Sequence, residues 1–317
     1  MKIVFLGSGA FGVPTLEKLS CDHQITGIVT QPDRPSGRGK HPTPTPVGAW
    51  GAEHLPDVPM IKPERINTEE ARALVRSWDA DAWVVIAYGQ YLGSKLIQDR
   101  FAINLHASRL PRWRGAAPIN AAIVAGDRIT GNSVITIDKE MDAGLVLAQS
   151  ERLIEPTQTA SELHDLLSKD GPDLVSRVLE DHEKNTVQMQ TQDPTLVTLA
   201  QKMLKSDGWI NLDASAFECR SRINGLSPWP CVTVEHRSAK LKVLRAESSE
   251  SNSQSSPGTI LDAEAGLIAC GSGVLRFLEV QPAGKRPMSW QAYANGRQVQ
   301  NGEMIIGITE GKGEHHS

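Results

Sequence analysis

Cysteine is scarce and scattered: Cys21, Cys219, Cys231 and Cys270 stand apart, with no CxxC pair. That spacing argues against a disulfide framework and a zinc ribbon, and reads as reduced thiols in a cytoplasmic protein. Long hydrophobic runs are missing as well. The longest, Ala82–Tyr88, falls far short of the ~18 residues that a membrane span takes. The opening MKIVFLGSGAFG carries one lysine and soon reaches glycine, which suits a first strand and not a secretion signal. No charge of one sign dominates. The chain has 33 Lys and Arg against 37 Asp and Glu, a net of −4, so it is no basic coat for nucleic acid. Nor is there an internal repeat or a His/Cys/Asp cluster at metal-ligand spacing. Secreted, membrane, collagenous and disordered classes are set aside, and a metal-free monomer off the membrane is the expectation.

What is present fits an α/β protein. The 317 residues leave room for two domains at roughly 150 residues each. In the first half, short apolar runs alternate with amphipathic segments. Strands are predicted at Lys2–Leu6, Ile25–Thr30, Trp83–Ala87, Phe101–Leu105 and Ser133–Ile137. Helices are predicted at Val13–Leu19, Thr68–Ser77 and Ala117–Ala125, and a longer one over Thr159–Glu183, interrupted by Gly171-Pro172. This rhythm implies a mostly parallel sheet covered on both faces, with ligands beyond the carboxyl ends of its strands. The texture then changes. Residues 185–205 read as a polar linker. Short runs such as Cys231–Glu235, Leu241–Arg245, Leu267–Cys270 and Val274–Val280 follow, which suggest a small β-barrel or sandwich. Arg220–Arg245 holds Arg220, Arg222, Arg237, Lys240, Lys242 and Arg245 against Glu235 alone, an excess able to attract a polyanion or merely to face solvent.

Gly7-Ser8-Gly9-Ala10-Phe11-Gly12 spells GxGxxG between a strand and a helix. A dinucleotide site also needs an acid at the end of the second strand, but Thr30-Gln31-Pro32 stands there, and Asp33 lies beyond it in a Pro/Gly loop. The glycines are therefore read as a tight strand-to-helix turn, and no NAD is expected. A stronger signal is Asn104-Leu105-His106. Asn104 and His106 are two apart on a strand, so they project to one side at a strand end, while Leu105 points into the packing. An amide N–H beside an imidazole N–H makes a donor pair for a developing oxyanion. Asp142, on a turn after a later strand, has the chemistry to orient His106 or relay a proton.

Together these segments resemble the folate-dependent formyltransferases, those acting on methionyl-tRNA in particular. The likeness covers nearly the whole chain. It rests on QPDRPSGRGK at 31–40, Ala87-Tyr88-Gly89, the run from Asn104 to Ile119 with its LPRWRGAAPI, Met141-Asp142-Ala143-Gly144, and QPAGKRPM at 281–288. Against the family pattern HGSLLP, Ala107 replaces a glycine, a change expected to tighten the turn, and Arg109 replaces a leucine, a change expected to alter the folate contact. Ala143 stands where the family usually has threonine.

The resemblance implies a Rossmann-like catalytic domain over 1–184, the linker 185–205, and an OB-like β-barrel over 206–317 that binds tRNA. It implies that the formyl group of 10-formyltetrahydrofolate, a co-substrate, moves to the α-amino group of methionyl initiator tRNA, giving N-formylmethionyl-tRNA for translation initiation. Asn104, His106 and Asp142 would be catalytic. Ser108, Arg109, Leu110 and Pro111, with Tyr88 and Gly89, would line the folate site. The long irregular loop Gln31–Pro46 would enter the acceptor stem through Arg34, Arg38 and Lys40, while Arg220 and Arg222 hold phosphates. Phe11 would neighbour the methionyl side chain or be a packed core residue. Competing readings are a formyltransferase for an amino-sugar nucleotide or ribonucleotide amine, a nucleotide-dependent oxidoreductase, and a non-catalytic tRNA-binding protein.

Overall fold

In a computed structural model, residues 1–36, 41–251 and 253–308 are described, and they gather into two compact units. The first comprises Met1–Arg114, Gly131–Arg152 and His164–Thr198. The second comprises Gly115–Thr130, Leu153–Leu163 and the chain from Leu199 on.

The first unit is built on strands β1 (Lys2–Gly7), β2 (Gln24–Val29), β3 (Met60–Ile61), β4 (Ala82–Ile86), β5 (Phe101–His106), β6 (Ser133–Thr136) and β7 (Val146–Gln149). They form one sheet in the order β7-β6-β5-β4-β1-β2-β3. The pairs from β3 to β5 are parallel, and β6 and β7 add antiparallel strands at one side. Every residue of β4 is buried, as a central strand covered on both faces requires. The helix Glu69–Ser77 starts where Thr68 accepts a hydrogen bond from Ala71 N, with Glu69 and Glu70 in its first turn and Arg76 in its last, all favourable to the helix dipole.

The interruption expected at Gly171-Pro172 does not occur, because Ala160–Glu183 is one helix with Pro172 inside it. An interior proline costs about 3 kcal/mol. Burial outweighs it: Leu167, Leu174, Val175, Val178 and Leu179 form a buried stripe at helical spacing, each contributing ~1.5–3 kcal/mol. Gly171 also lets the helix approach the sheet, since a Cβ there would stand 2.6 Å from Leu105 Cδ2. The expected linker is likewise structured. Val146 and Gln190 exchange backbone hydrogen bonds of 2.8 and 2.9 Å, which ties this stretch to β7.

The second unit holds strands β8 (Val232–His236), β9 (Ala239–Ser249), β10 (Ile260–Asp262), β11 (Leu267–Ala269), β12 (Val274–Pro282), β13 (Met288–Ser289) and β14 (Ile305–Gly307). The antiparallel order is β10-β11-β12-β9-β8-β14, with β13 on β12. Hydrogen bonds from Ile260 N to Glu303 O, Gly302 N to Ile260 O and Ile305 N to Gly258 O join the two ends of that order, so the sheet closes into a barrel. Phe277, Trp290, Tyr293 and the inward valines of β8 fill it. The helix Ala216–Gly225 begins on a reciprocal cap between Ser215 and Glu218. Gly225 permits its contact with the helix Pro118–Val124, since a Cβ would meet Val124 N at 2.9 Å.

Candidate active site

Leu105 is committed to the helix side of the sheet, so Asn104 and His106 face the other way at the carboxyl end of β5. The His106 ring is 7% exposed, and its Nε2 lies 2.8 Å from the Trp113 carbonyl. A carbonyl only accepts, so Nε2 carries the hydrogen and donates. The other ring nitrogen, Nδ1, lies 3.6 Å from Asp142 Oδ2, past hydrogen-bond length. Asp142 is at φ +55°, a left-handed conformation that aspartate tolerates better than most residues. Asn104 is half-buried, and its side-chain amide makes no hydrogen bond among the described residues. The three residues singled out in the sequence thus meet at one strand end, with an open amide and one ring nitrogen uncommitted by any hydrogen bond among the described residues.

The turn after β5 is held by its own polar groups. Ser108 is fully buried and donates through Oγ to the Arg112 carbonyl at 2.7 Å. Ser133 Oγ donates to the Ser108 carbonyl at 2.7 Å and accepts from Leu110 N at 3.0 Å. Gln149 Nε2 donates to the Leu110 carbonyl and to Ser133 Oγ, both at 2.8 Å. The Ser108 hydroxyl and Leu110, which packs on Ile135 and Val146, therefore shape the turn. Pro111 follows Leu110 through a cis peptide bond. Ala107 has no positive φ, so alanine fits there without strain. Arg109 is exposed, with its guanidinium 2.6 Å from Glu151 Oε1.

Other expected positions differ in their burial. The Tyr88 ring is 2% exposed inside the core, and burial raises its hydroxyl pKa. That hydroxyl has no hydrogen-bond partner among the described residues. Gly89, at φ +86°, is exposed beside it. Phe11 is buried edge-on to His164 at 5.4 Å, the packed alternative. At Gly7 a Cβ would stand 2.6 Å from the Phe5 ring, so crowding accounts for that glycine, while Asp33 is spent on Lys62 at 2.7 Å.

The loop Gln31–Pro46 is not irregular throughout: Arg34–Ser36 pairs antiparallel with His41–Thr43. Arg34 is paired with Glu64 at 2.6 Å, and Arg38 and Lys40 lie outside the described residues. In the second unit, Arg222 does not reach out for phosphates. Its guanidinium lies 3.5 Å from the centre of the Trp209 ring and donates to the carbonyls of Trp209 and Asp207. Arg237 is held by Glu303 and by the carbonyls of Arg297 and Gln298. Arg245 is bidentate on Glu162. Arg220 stacks on Phe217 at 4.5 Å and has no carboxylate partner among the described residues, and burial lowers its pKa.

Residues 1–179 match the model of the formyl transferase family, and residues 202–298 match that of the formyl transferase C-terminal domain. The chain belongs to the formyltransferase family. Among curated formyltransferases, it is 41% identical to methionyl-tRNA formyltransferase of Nitrobacter winogradskyi over 93% of this chain and 96% of that one. It is 35% identical to the methionyl-tRNA formyltransferase of Hydrogenovibrio crunogenus over 94% and 97%. Among solved structures, the sugar 3N-formyl transferase WlaRD, with dTDP and 5-N-formyl-THF, shares the fold at TM-score 0.66 and 13% identity, over 90% of this chain and 99% of that one. HypX from Aquifex aeolicus with tetrahydrofolic acid does so at 0.61 and 14%, over 96% and 48%.

Between the two matched stretches of this formyltransferase lies a residue that the sequence reading missed. Gln192 is buried, and its amide donates to the carbonyls of Asp142 and Gly144, both at 2.8 Å. A polar stretch without periodicity gives no sign of such a role.

Proposed function

We propose that this formyltransferase moves the formyl group of 10-formyltetrahydrofolate to the α-amino group of methionine esterified to initiator tRNA, producing N-formylmethionyl-tRNA. The observation that carries the chemistry is the Asn104–His106 pair at the end of β5 with the Asp142 carboxylate 3.6 Å from His106 Nδ1. The acceptor is supported by relatives with that name along nearly the whole chain.

The neutral amine attacks the formyl carbon, and negative charge gathers on the formyl oxygen. Asn104 donates to that oxygen through its amide, and His106 through Nδ1, since Nε2 is occupied by the Trp113 carbonyl. Asp142 stabilises the protonated ring and takes up the proton lost by the amine, directly or through water. Collapse of the tetrahedral intermediate breaks the bond from carbon to the folate nitrogen, which leaves with a proton as tetrahydrofolate. The turn Ser108–Pro111 and Gly89 place the folate. Contacts to tRNA phosphates fall to Arg34, Arg38 and Lys40, and to Arg220 with exposed Lys240 and Lys242, because Arg222, Arg237 and Arg245 are engaged internally.

The test is formyl transfer from 10-formyltetrahydrofolate to charged initiator tRNA. The expected outcome is N-formylmethionyl-tRNA and tetrahydrofolate in equal amounts, with no dependence on nicotinamide. Transfer only to an amino-sugar nucleotide, or tRNA binding without turnover, rejects the proposal.

A further inference from the structure

Gln192 spends every polar function of its side chain. Besides the two 2.8 Å bonds from its nitrogen to the Asp142 and Gly144 carbonyls, its oxygen accepts from Arg114 Nε at 3.0 Å. Its chain neighbours work in the same direction. On one side Gln190 is paired to Val146, just after the Asp142 turn. On the other, Thr198 accepts from Trp113 N through Oγ1 and from Arg114 N through its carbonyl, both at 2.9 Å. The stretch 190–198 therefore holds both groups that flank the His106 ring. One is the Asp142 turn facing Nδ1; the other is the Trp113 carbonyl facing Nε2.

We infer that Gln192 is a positioning residue for formyl transfer: by gripping the carbonyls of Asp142 and Gly144, it sets the Asp142 carboxylate at its distance from His106. The inference rests on the roles proposed above for those two residues. Asp142 needs such a grip, because a non-glycine residue at φ +55° persists only where its surroundings hold it. Gly144 leaves the turn no slack, since a Cβ there would stand 1.7 Å from the Thr136 carbonyl oxygen. With Nδ1 and Oδ2 at 3.6 Å, a small displacement changes their interaction, and a misplacement of about 1 Å costs on the order of 10²-fold in rate.

The substitution Gln192→Glu keeps the volume and the Arg114 contact but offers no N–H to the two carbonyls. Turnover is compared for Gln192→Glu, Asp142→Asn and the double variant, with Tm recorded for each. The expected result is a fall in kcat of about 10–10²-fold for Gln192→Glu at unchanged KM for tRNA. The double variant is expected to be no slower than Asp142→Asn alone, because the grip acts through that carboxylate. Wild-type kcat in Gln192→Glu, or losses that multiply in the double variant, overturns the inference and leaves the proposed site standing. Wild-type turnover in Asp142→Asn overturns the site reading and the inference with it. Should the buried carboxylate bring Tm below the assay temperature, Gln192→Leu takes its place with the same expectations.

Discussion

In the second unit, Arg222, Arg237 and Arg245 each end on a backbone carbonyl or a carboxylate. At the end of β5, the Asn104 amide has no partner among the described residues, and His106 Nδ1 stops 3.6 Å from Asp142. The same kinds of donor are thus closed in one region and left open in the other. Closed donors hold a fold together, whereas open ones at a strand end await a substrate atom. Position in sequence does not tell the two apart: within an arginine-rich run that charge alone left open to a polyanion or to solvent, Arg222, Arg237 and Arg245 are tied to the protein's own groups while Lys240 and Lys242 are exposed.

The sharpest way to break this contrast is to remove the open groups. Asn104→Ala, His106→Ala and Asp142→Ala are each expected to lower kcat by about 10²–10³, with tRNA affinity and Tm near those of the parent. Steady-state kinetics and tRNA titration check this. Near-parental turnover in all three would leave the strand end without chemistry.

The closed side is expected to respond in the opposite way. Glu303 receives hydrogen bonds from Arg237, Gln300 N and the His236 ring, chiefly Arg237, and its pKa is lowered to about 2. A carboxyl depressed from the ordinary value near 4.5 stabilises the fold fully above that value and loses the contribution as pH falls toward about 2. Glu303→Gln is expected to cost about 1.5–3 kcal/mol at pH 7 and to leave kcat unchanged. Its stability should converge on the parent's as pH approaches 2, read by urea unfolding across that range. A parallel offset at every pH would remove the ionised carboxylate as the cause.

The smallest effect belongs to Tyr88. Its buried hydroxyl has no partner among the described residues, so Tyr88→Phe is expected to change stability by under about 1 kcal/mol and to leave KM for the folate untouched. A large rise in that KM would bring the ring back into the binding site.

Much of the fold was legible because periodicity reports burial. β1, β2, β4 and β5 lie where their apolar runs stand, to within two residues at either end. The helix through Pro172 was not, because local propensity cannot weigh the buried stripe on the other side of the account. The meeting of Asn104 with His106 was readable from strand geometry, while Asp142 joined them through chain resemblance and the turn after β6. Gln192 was invisible, since its partners are backbone carbonyls far away in sequence and leave no trace in residue type. The burial of the Tyr88 ring was not readable either, because a resemblance names a residue without saying which way its ring turns.

The barrel depends on its latest strand. Ile305–Gly307 lies on β8, and the chain just before it bonds to Gly258 and Ile260, so both borders stay uncovered until that segment arrives. On the ribosome, a growing chain that has reached Pro282 therefore displays unpaired strand edges, the kind of surface on which neighbouring nascent chains stick to each other. Slow elongation over the stretch from Pro282 to Ile305 would lengthen that vulnerable interval.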